Sequence, residues 1–172
     1  MKNKFLFLSG CLLFTGSLAV AQTGPGGVGS TSSNGVWLRA DEISQTSGTA
    51  LSSWGDVSGN NNDADQGDSA LQPDYFSTSS INSMPVVRLD GTDERLLIAD
   101  DAILDGTSGI TYFTVIRPSN LDSSTPYGIL GKREEFTVSS NYAYTFYIHG
   151  SNYLNLDIPS SNQLKYSSTF GV

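Results

Sequence analysis

The chain has 172 residues, about the length of one domain, and its 38% apolar and 10% aromatic content predicts a folded protein. Only 15% of the residues are charged, and nine basic against 17 acidic residues give a net charge of −8. An acidic surface repels phosphate backbones and anionic lipid headgroups, which argues against nucleic acids and membrane surfaces as partners. Cations and neutral sugars remain as partner classes.

The first 21 residues are typical of a cleavable signal peptide. Lys2 and Lys4 form a basic start, residues 5–20 are an apolar run, and Ala19 and Ala21 supply the small residues that a signal peptidase recognises. The apolar run is too short for a membrane span, and no later run is long enough to anchor the product. We therefore expect a secreted or cell-surface protein whose mature chain does not insert into a membrane.

The mature chain is expected to begin at Gln22, with seven basic against 17 acidic residues left and a net charge of −10. Residues 8–11 also resemble a bacterial lipobox, so a lipid-modified Cys11 is the alternative. Cys11 is the only cysteine, so the mature chain has no disulfide and its stability must come from burial. Residues 22–35 are rich in Gly, Ser and Thr and predict a flexible lead-in to a domain over 36–172.

Short apolar or alternating runs, separated by turn clusters, predict an all-β fold with at most one short turn of helix. The runs lie at residues 36–40, 50–57, 86–90, 95–99, 110–117, 128–131, 136–139, 142–149, 154–158 and 164–170. Apolar side chains on both faces of 110–117, and a wide aromatic face on 142–149, predict two interior strands of an antiparallel two-sheet sandwich. Phe113 is expected in its core.

The common catalytic arrangements find little support in the sequence. His149 is the only histidine and there is no G-x-S-x-G elbow, which excludes a serine-hydrolase triad. Glu134 and Glu135 are adjacent and would point to opposite faces of a strand, so they do not form a glycosidase pair. One histidine and no mature cysteine also argue against zinc.

Oxygen donors are dense between residues 56 and 68, where Ca²⁺ could find carboxylate and amide ligands. The candidate ligands are Asp56, Asn60, Asn62, Asp63, Asp65 and Asp68. Their spacing does not match an EF-hand loop. The same residue types form turns by bonding their own backbone, so a purely structural turn is the alternative interpretation. A second acidic turn, at residues 90–94, is expected to close a hairpin with Gly91 in the left-handed conformation.

Aromatic and amide side chains in the last third of the chain are candidates for sugar binding, because flat rings stack on pyranose C–H faces and amides bond hydroxyls. These candidates are Tyr142, Tyr147, Tyr153, Asn152 and Asn155. A polar strand edge would explain Tyr153 and its amide neighbours equally well. Trp37 and Trp54 are expected to be core anchors.

Three segments carry a resemblance to a known family. The sequence reads VWLRAD at 36–41, WGDVSGNNNDADQ at 54–66 and, after Pro73, NSMPVVRLDG at 82–91. These segments resemble the N-terminal half of a LamG-like jelly-roll domain of the concanavalin A-like lectin and glucanase superfamily, common in exported surface proteins of Bacteroidetes-type bacteria. Leu89 stands where an aromatic residue is usual. The resemblance implies a two-sheet jelly roll that is incomplete at its C-terminus, as in a truncated product.

For function, the resemblance implies a non-catalytic secreted or cell-surface module for binding or adhesion. The implied ligand class is a polysaccharide or cell-surface glycan, with Ca²⁺ as a candidate ion and no other cofactor. The second hypothesis is a structural spacer domain of a larger surface protein. The third is a glycan-cleaving enzyme, although the superfamily's enzymes carry a carboxylate motif that this sequence lacks.

Overall fold

The computed structural model describes residues 24, 27–30, 32–106, 109–119, 125–133, 142–149, 153–158 and 164–166. In these ranges the chain forms short β-strands and three one-turn 3₁₀ helices, which confirms the all-β class. The strands are β1 (Thr49–Ala50), β2 (Ser53–Trp54), β3 (Ala64–Asp65), β4 (Asp74–Phe76), β5 (Val86–Arg88), β6 (Leu97–Ile98), β7 (Tyr127–Arg133), β8 (Tyr142–His149), β9 (Tyr153–Asp157) and β10 (Leu164–Tyr166). The 3₁₀ helices are Ala40–Glu42, Ser69–Leu71 and Ala102–Leu104. None of the described helices has the length and apolarity needed to cross a bilayer.

The strands form three antiparallel sheets, with orders β1-β4-β5, β2-β3-β6 and β10-β9-β8-β7. The first two sheets are connected at Leu51, where the chain passes from β1 in one sheet to β2 in the other. The Leu51 side chain is 1% exposed, and its N–H donates to the Pro73 carbonyl at 2.7 Å. Burying a leucine side chain contributes about 1.5–3 kcal/mol to the stability of the fold. The buried Leu51 at this crossover therefore helps to hold the two small sheets together.

The four-stranded sheet β10-β9-β8-β7 has one apolar face. Tyr144 and Ile148 on β8 are 7% and 3% exposed, and Phe146 lies between them on the same face. The Tyr112 ring packs on this face, 5.4 Å from the Tyr144 ring and 5.8 Å from the Phe146 ring. Burial raises the pKa of the Tyr112 hydroxyl. Strand β7 carries register irregularities at two points along its pairing with β8.

Polar contacts join the same sheet to the 3₁₀ helix Ala102–Leu104. The Tyr144 hydroxyl donates to the Leu104 carbonyl at 2.9 Å. The Lys132 ammonium lies 2.7 Å from Asp100 Oδ1 and also contacts the Asp105 carboxylate, and the two carboxylates raise its pKa. These contacts fix how the loop at 100–105 lies against the apolar face of the sheet.

The prediction of an interior strand at 110–117 is wrong. The segment forms no strand, and Phe113 and Val115 are 73% and 86% exposed; only Tyr112 is half-buried. β-branched and aromatic residues favour an extended chain, but a strand also needs neighbours to hydrogen-bond. Within the described ranges this segment has none. The two-sheet sandwich itself stays a prediction.

The expected hairpin at residues 90–94 is also wrong, although Gly91 does adopt the left-handed conformation, with φ +81°. Strand β5 before the turn pairs with β4, and β6 after it pairs with β3, so the turn connects two sheets. The run at 36–40 contributes only an isolated bridge between Leu38 and Asp56. Trp37 and Trp54 are half-buried, which is less than a core anchor requires.

Helix is slightly more frequent than expected, because aspartates cap two of the three described 3₁₀ turns. Asp68 accepts a hydrogen bond from the Ala70 N–H and Asp101 accepts one from the Ile103 N–H. The signal peptide, the cleavage site and the run at 136–139 lie outside the described residues.

Candidate functional site

The first candidate site is the loop that follows β2, and it is organised by the Asp56 carboxylate. Oδ1 accepts hydrogen bonds from the N–H groups of Trp37 at 2.7 Å and Ser58 at 2.9 Å. Oδ2 accepts from the Ser58 hydroxyl at 2.7 Å and from the Asn62 N–H at 3.1 Å. Both oxygens of Asp56 are therefore used to hold the backbone of its own loop and of the chain at Trp37.

Two opposing effects act on the pKa of Asp56. Partial burial alone would raise it, because burial disfavours the charged form. Hydrogen bonds from Ser58, Trp37 and Asn62 stabilise the carboxylate and together outweigh burial, so the pKa is lowered from its ordinary value of 3.8. The folded loop therefore favours the ionised side chain.

The other candidate calcium ligands also bond nearby chain. The Asn60 and Asn62 side-chain amides donate to the carbonyls of Asn34 at 2.6 Å and Gly35 at 2.8 Å. Asp63 Oδ1 accepts from the Asp56 N–H at 2.7 Å, and Asp68 caps a 3₁₀ helix.

Asp65, the remaining candidate, is exposed on β3. The described residues contain no group of three or more His, Cys, Asp or Glu side chains that could hold a metal ion. These contacts favour the structural-turn interpretation of residues 56–68, and calcium binding stays a prediction.

The second candidate site is the polar face of the four-stranded sheet. Tyr147 on β8 lies directly opposite Asn155 on β9, so the structure brings two of the predicted sugar-binding residues together. The Tyr147 hydroxyl donates to Asp157 Oδ2 at 3.0 Å. Asp157 was missed in the sequence analysis. Its signal is its spacing of two residues from Asn155, which places both side chains on one face of a strand.

Two residues of this polar face are buried. Asn155 and Thr145 are 4% and 2% exposed, and the Thr145 hydroxyl accepts a hydrogen bond from Arg133 Nη1 at 3.2 Å. Asp157 Oδ1 is shielded from solvent and has no hydrogen-bond partner among the described residues. A buried carboxylate oxygen without a donor is costly, which marks this position as unusual in the sheet.

Among the described residues, Gly128 leaves room next to Tyr147. Gly128 on β7 lies opposite Tyr147, and a Cβ built on Gly128 would meet no described atom within 4 Å. On the other flank, the exposed His149 ring lies edge-on at 6.3 Å and 62°. A half-exposed ring with one glycine neighbour can accept a flat ligand against its side.

The remaining predicted sugar-binding residues are only partly placed. Tyr153 pairs with His149 along β9, and Tyr142 pairs with Arg133 at the start of β8. Asn152 lies outside the described residues. Tyr147 and Asn155 are thus the pair that the structure assembles, with Asp157 as an addition.

A cleft of about 360 Å³ lies near Trp54, between residues 39–45 and 51–57. Its polar groups are engaged within the protein: Trp54 Nε1 donates to the Arg39 carbonyl at 3.0 Å, and Arg39 pairs with Asp41 at 2.6 Å. The amide of Gln45 donates to the carbonyls of Thr49 and Ala50 at 3.1 and 3.0 Å. These bonds hold the loop that frames the cleft.

Comparisons with known proteins give no support from relatives. No protein-family model matches the chain, and no curated protein and no solved structure matches it significantly. The resemblance to LamG-like domains therefore stays a prediction, and function has to be argued from the site.

Proposed function

We propose that this protein is an exported, non-catalytic binding module that takes a neutral polysaccharide on the polar face of the sheet β10-β9-β8-β7. The observation that carries the proposal is the group formed by Tyr147, Asn155 and Asp157. It joins a half-exposed aromatic ring to a partly buried carboxylate whose Oδ2 accepts a hydrogen bond from the Tyr147 hydroxyl. A ring with a hydrogen-bond acceptor beside it suits a sugar, which offers both C–H faces and hydroxyl donors.

The charge of the chain supports a neutral ligand over an anionic one. The net charge is −8, and a carboxylate lies in the candidate site itself. Like charges would repel acidic glycans and phosphates, whereas a sugar hydroxyl can donate to Asp157 Oδ2 without a charge penalty. We therefore expect uncharged glucans, such as laminarin, to bind better than sulfated or uronic-acid polymers.

Gly128 gives a direct test, because it lies opposite Tyr147 and has no side chain of its own. Gly128→Val should fill the open space next to Tyr147 without meeting a described neighbour. We expect Gly128→Val and Tyr147→Ala each to weaken binding of neutral glucans at least about tenfold in Kd, or about 1.4 kcal/mol. Isothermal titration against laminarin and a glycan array measure this.

The matched control is Tyr127→Phe, since Tyr127 lies on the opposite face of the same sheet, paired with Ile148. It should leave the Kd unchanged. Equal affinity of Gly128→Val and the natural protein would contradict the site, even if a sugar binds elsewhere.

The other two hypotheses give distinct results in the same assays. A spacer domain binds none of the neutral glycans on the array. A glycan-cleaving enzyme releases reducing sugar from laminarin, and Asp157→Asn would then remove the activity if Asp157 is its acid or base.

A further inference from the structure

The segment from residue 109 to 118 is the largest exposed apolar run in the described chain. It runs without a turn or bend between Gly109 and Pro118. Ile110, Phe113, Val115 and Ile116 are 36%, 73%, 86% and 39% exposed. Exposed apolar patches of this kind mark interaction surfaces in soluble proteins.

The segment is fixed in place at its middle and its end. Tyr112 packs on the Tyr144 and Phe146 rings, and Arg117 donates from Nη1 to the Ser80 hydroxyl. Within the described ranges, however, its backbone makes no hydrogen bond to another strand. No described strand therefore pairs with its main-chain donors and acceptors, and an extended segment of this kind is a template for an added strand.

We propose that a second copy of this chain pairs with residues 110–116 in antiparallel register, centred on Phe113. The segment reads Ile-Thr-Tyr-Phe-Thr-Val-Ile, with isoleucine at both ends, phenylalanine at the centre and only β-branched or aromatic residues between them. The two-fold register places Ile110 opposite Ile116, Thr111 opposite Val115, Tyr112 opposite Thr114, and Phe113 opposite itself. Each pair joins β-branched or aromatic residues, which are the favoured cross-strand neighbours.

Charge and area are consistent with a second copy as the occupant. Residues 106–116 carry no charge, so two acidic chains can meet here without opposing like charges in the ladder. Arg117 falls opposite Gly109 in this register. One pair of seven-residue segments is a small contact compared with specific interfaces, which usually bury about 1,200–2,000 Å² in total. The dimer should therefore be weak and depend on concentration.

Sedimentation of the purified protein over a concentration series tests the proposal. The natural protein should show a monomer–dimer equilibrium, and Phe113→Lys should weaken it at least about tenfold, because the two lysines would lie directly opposite each other. Met84→Lys is the matched control, since Met84 is 51% exposed elsewhere on the surface, and it should dimerise like the natural protein.

A charge exchange identifies the register. Phe113→Lys and Phe113→Glu should each be monomeric alone and should form a heterodimer when mixed, because the two-fold register places the lysine opposite the glutamate. In a Cys11→Ser background, Phe113→Cys should oxidise to a disulfide-linked dimer, and Met84→Cys should not.

Three results would overturn the proposal: a monomer at every concentration, a dimer that survives Phe113→Lys, or variants that do not associate when mixed. The first would mean that the segment binds a different chain or none.

Discussion

The first part of the protein, residues 36–106, and the sheet β10-β9-β8-β7 are stabilised in different ways. The first part has strands of two or three residues and relies on side chains that bond backbone groups, with Asp56 as the main example. The sheet has strands of up to eight residues and relies on ladder hydrogen bonds and an apolar face. Single polar residues should therefore matter more in the first part, and buried apolar residues more in the sheet.

The largest expected effect is that of Asp56→Ala. It removes four hydrogen bonds and leaves three backbone N–H groups without their acceptor, which should lower the free energy of unfolding by about 4 kcal/mol. Asp65→Ala is the control, because Asp65 is exposed on the neighbouring strand, and it should change stability by less than about 0.5 kcal/mol. Urea denaturation measures both, and equal effects would contradict the role given to Asp56.

In the sheet, Ile148→Ala should cost about 3 kcal/mol, since Ile148 is 3% exposed and its removal leaves a cavity. Phe113→Ala should cost less than about 0.5 kcal/mol for the monomer, since Phe113 is 73% exposed. Thermal unfolding at low protein concentration compares the two variants. A loss of several kcal/mol for Phe113→Ala would show that this ring is buried after all.

Tyr144→Phe tests the link between the two regions with a smaller change. The substitution keeps the ring in the apolar face and removes only the hydroxyl that donates to the Leu104 carbonyl at 2.9 Å. We expect a loss of about 1 kcal/mol in urea denaturation. In hydrogen exchange, residues 100–105 should lose protection before the sheet does, and uniform loss across the sheet would contradict a local link.

The smallest expected effect is a dependence of stability on pH through Asp56. The folded pKa of Asp56 lies below its ordinary value of 3.8, so the carboxylate stabilises the fold above that value. This contribution is lost as the pH falls through the folded pKa. The difference in unfolding free energy between the natural protein and Asp56→Asn should therefore shrink as the pH is lowered from about 5 to about 2.5. A constant difference would mean that the charge of Asp56 contributes nothing.

The same contrast explains what the sequence could predict. The run at 142–149 coincides with β8, and the runs at 128–131 and 154–158 overlap β7 and β9, because alternation over many residues is a strong strand signal. Strands β3 and β4 were missed, since Asp65 and Asp74 are poor strand formers and the strands hold only because neighbouring chain pairs with them. The run at 110–117 has the strand pattern without the partner.

The candidate site, like the strands, could be predicted only in part from the sequence. Tyr147 and Asn155 could be named from residue type, but their pairing across two strands depends on register, which no local pattern specifies. The bonds of Asp56 to Trp37 and Asn62 depend on loop conformation, which composition alone leaves open between a turn and an ion site.

The irregular register of β7 limits how far copies of this protein can assemble. Within the described sheet β7 is an outer strand, and its ladder is interrupted between Gly128 and Leu130 and again between Lys132 and Arg133. A bulged outer strand cannot continue a regular ladder into another molecule, because its N–H and C=O groups fall out of step. In a two-fold pair joined at Phe113, residues 110–116 of one chain pair with residues 110–116 of the other. The irregular ladder of β7 therefore makes this outer strand a poor site for adding another molecule, whereas the segment around Phe113 is closed once two chains have paired.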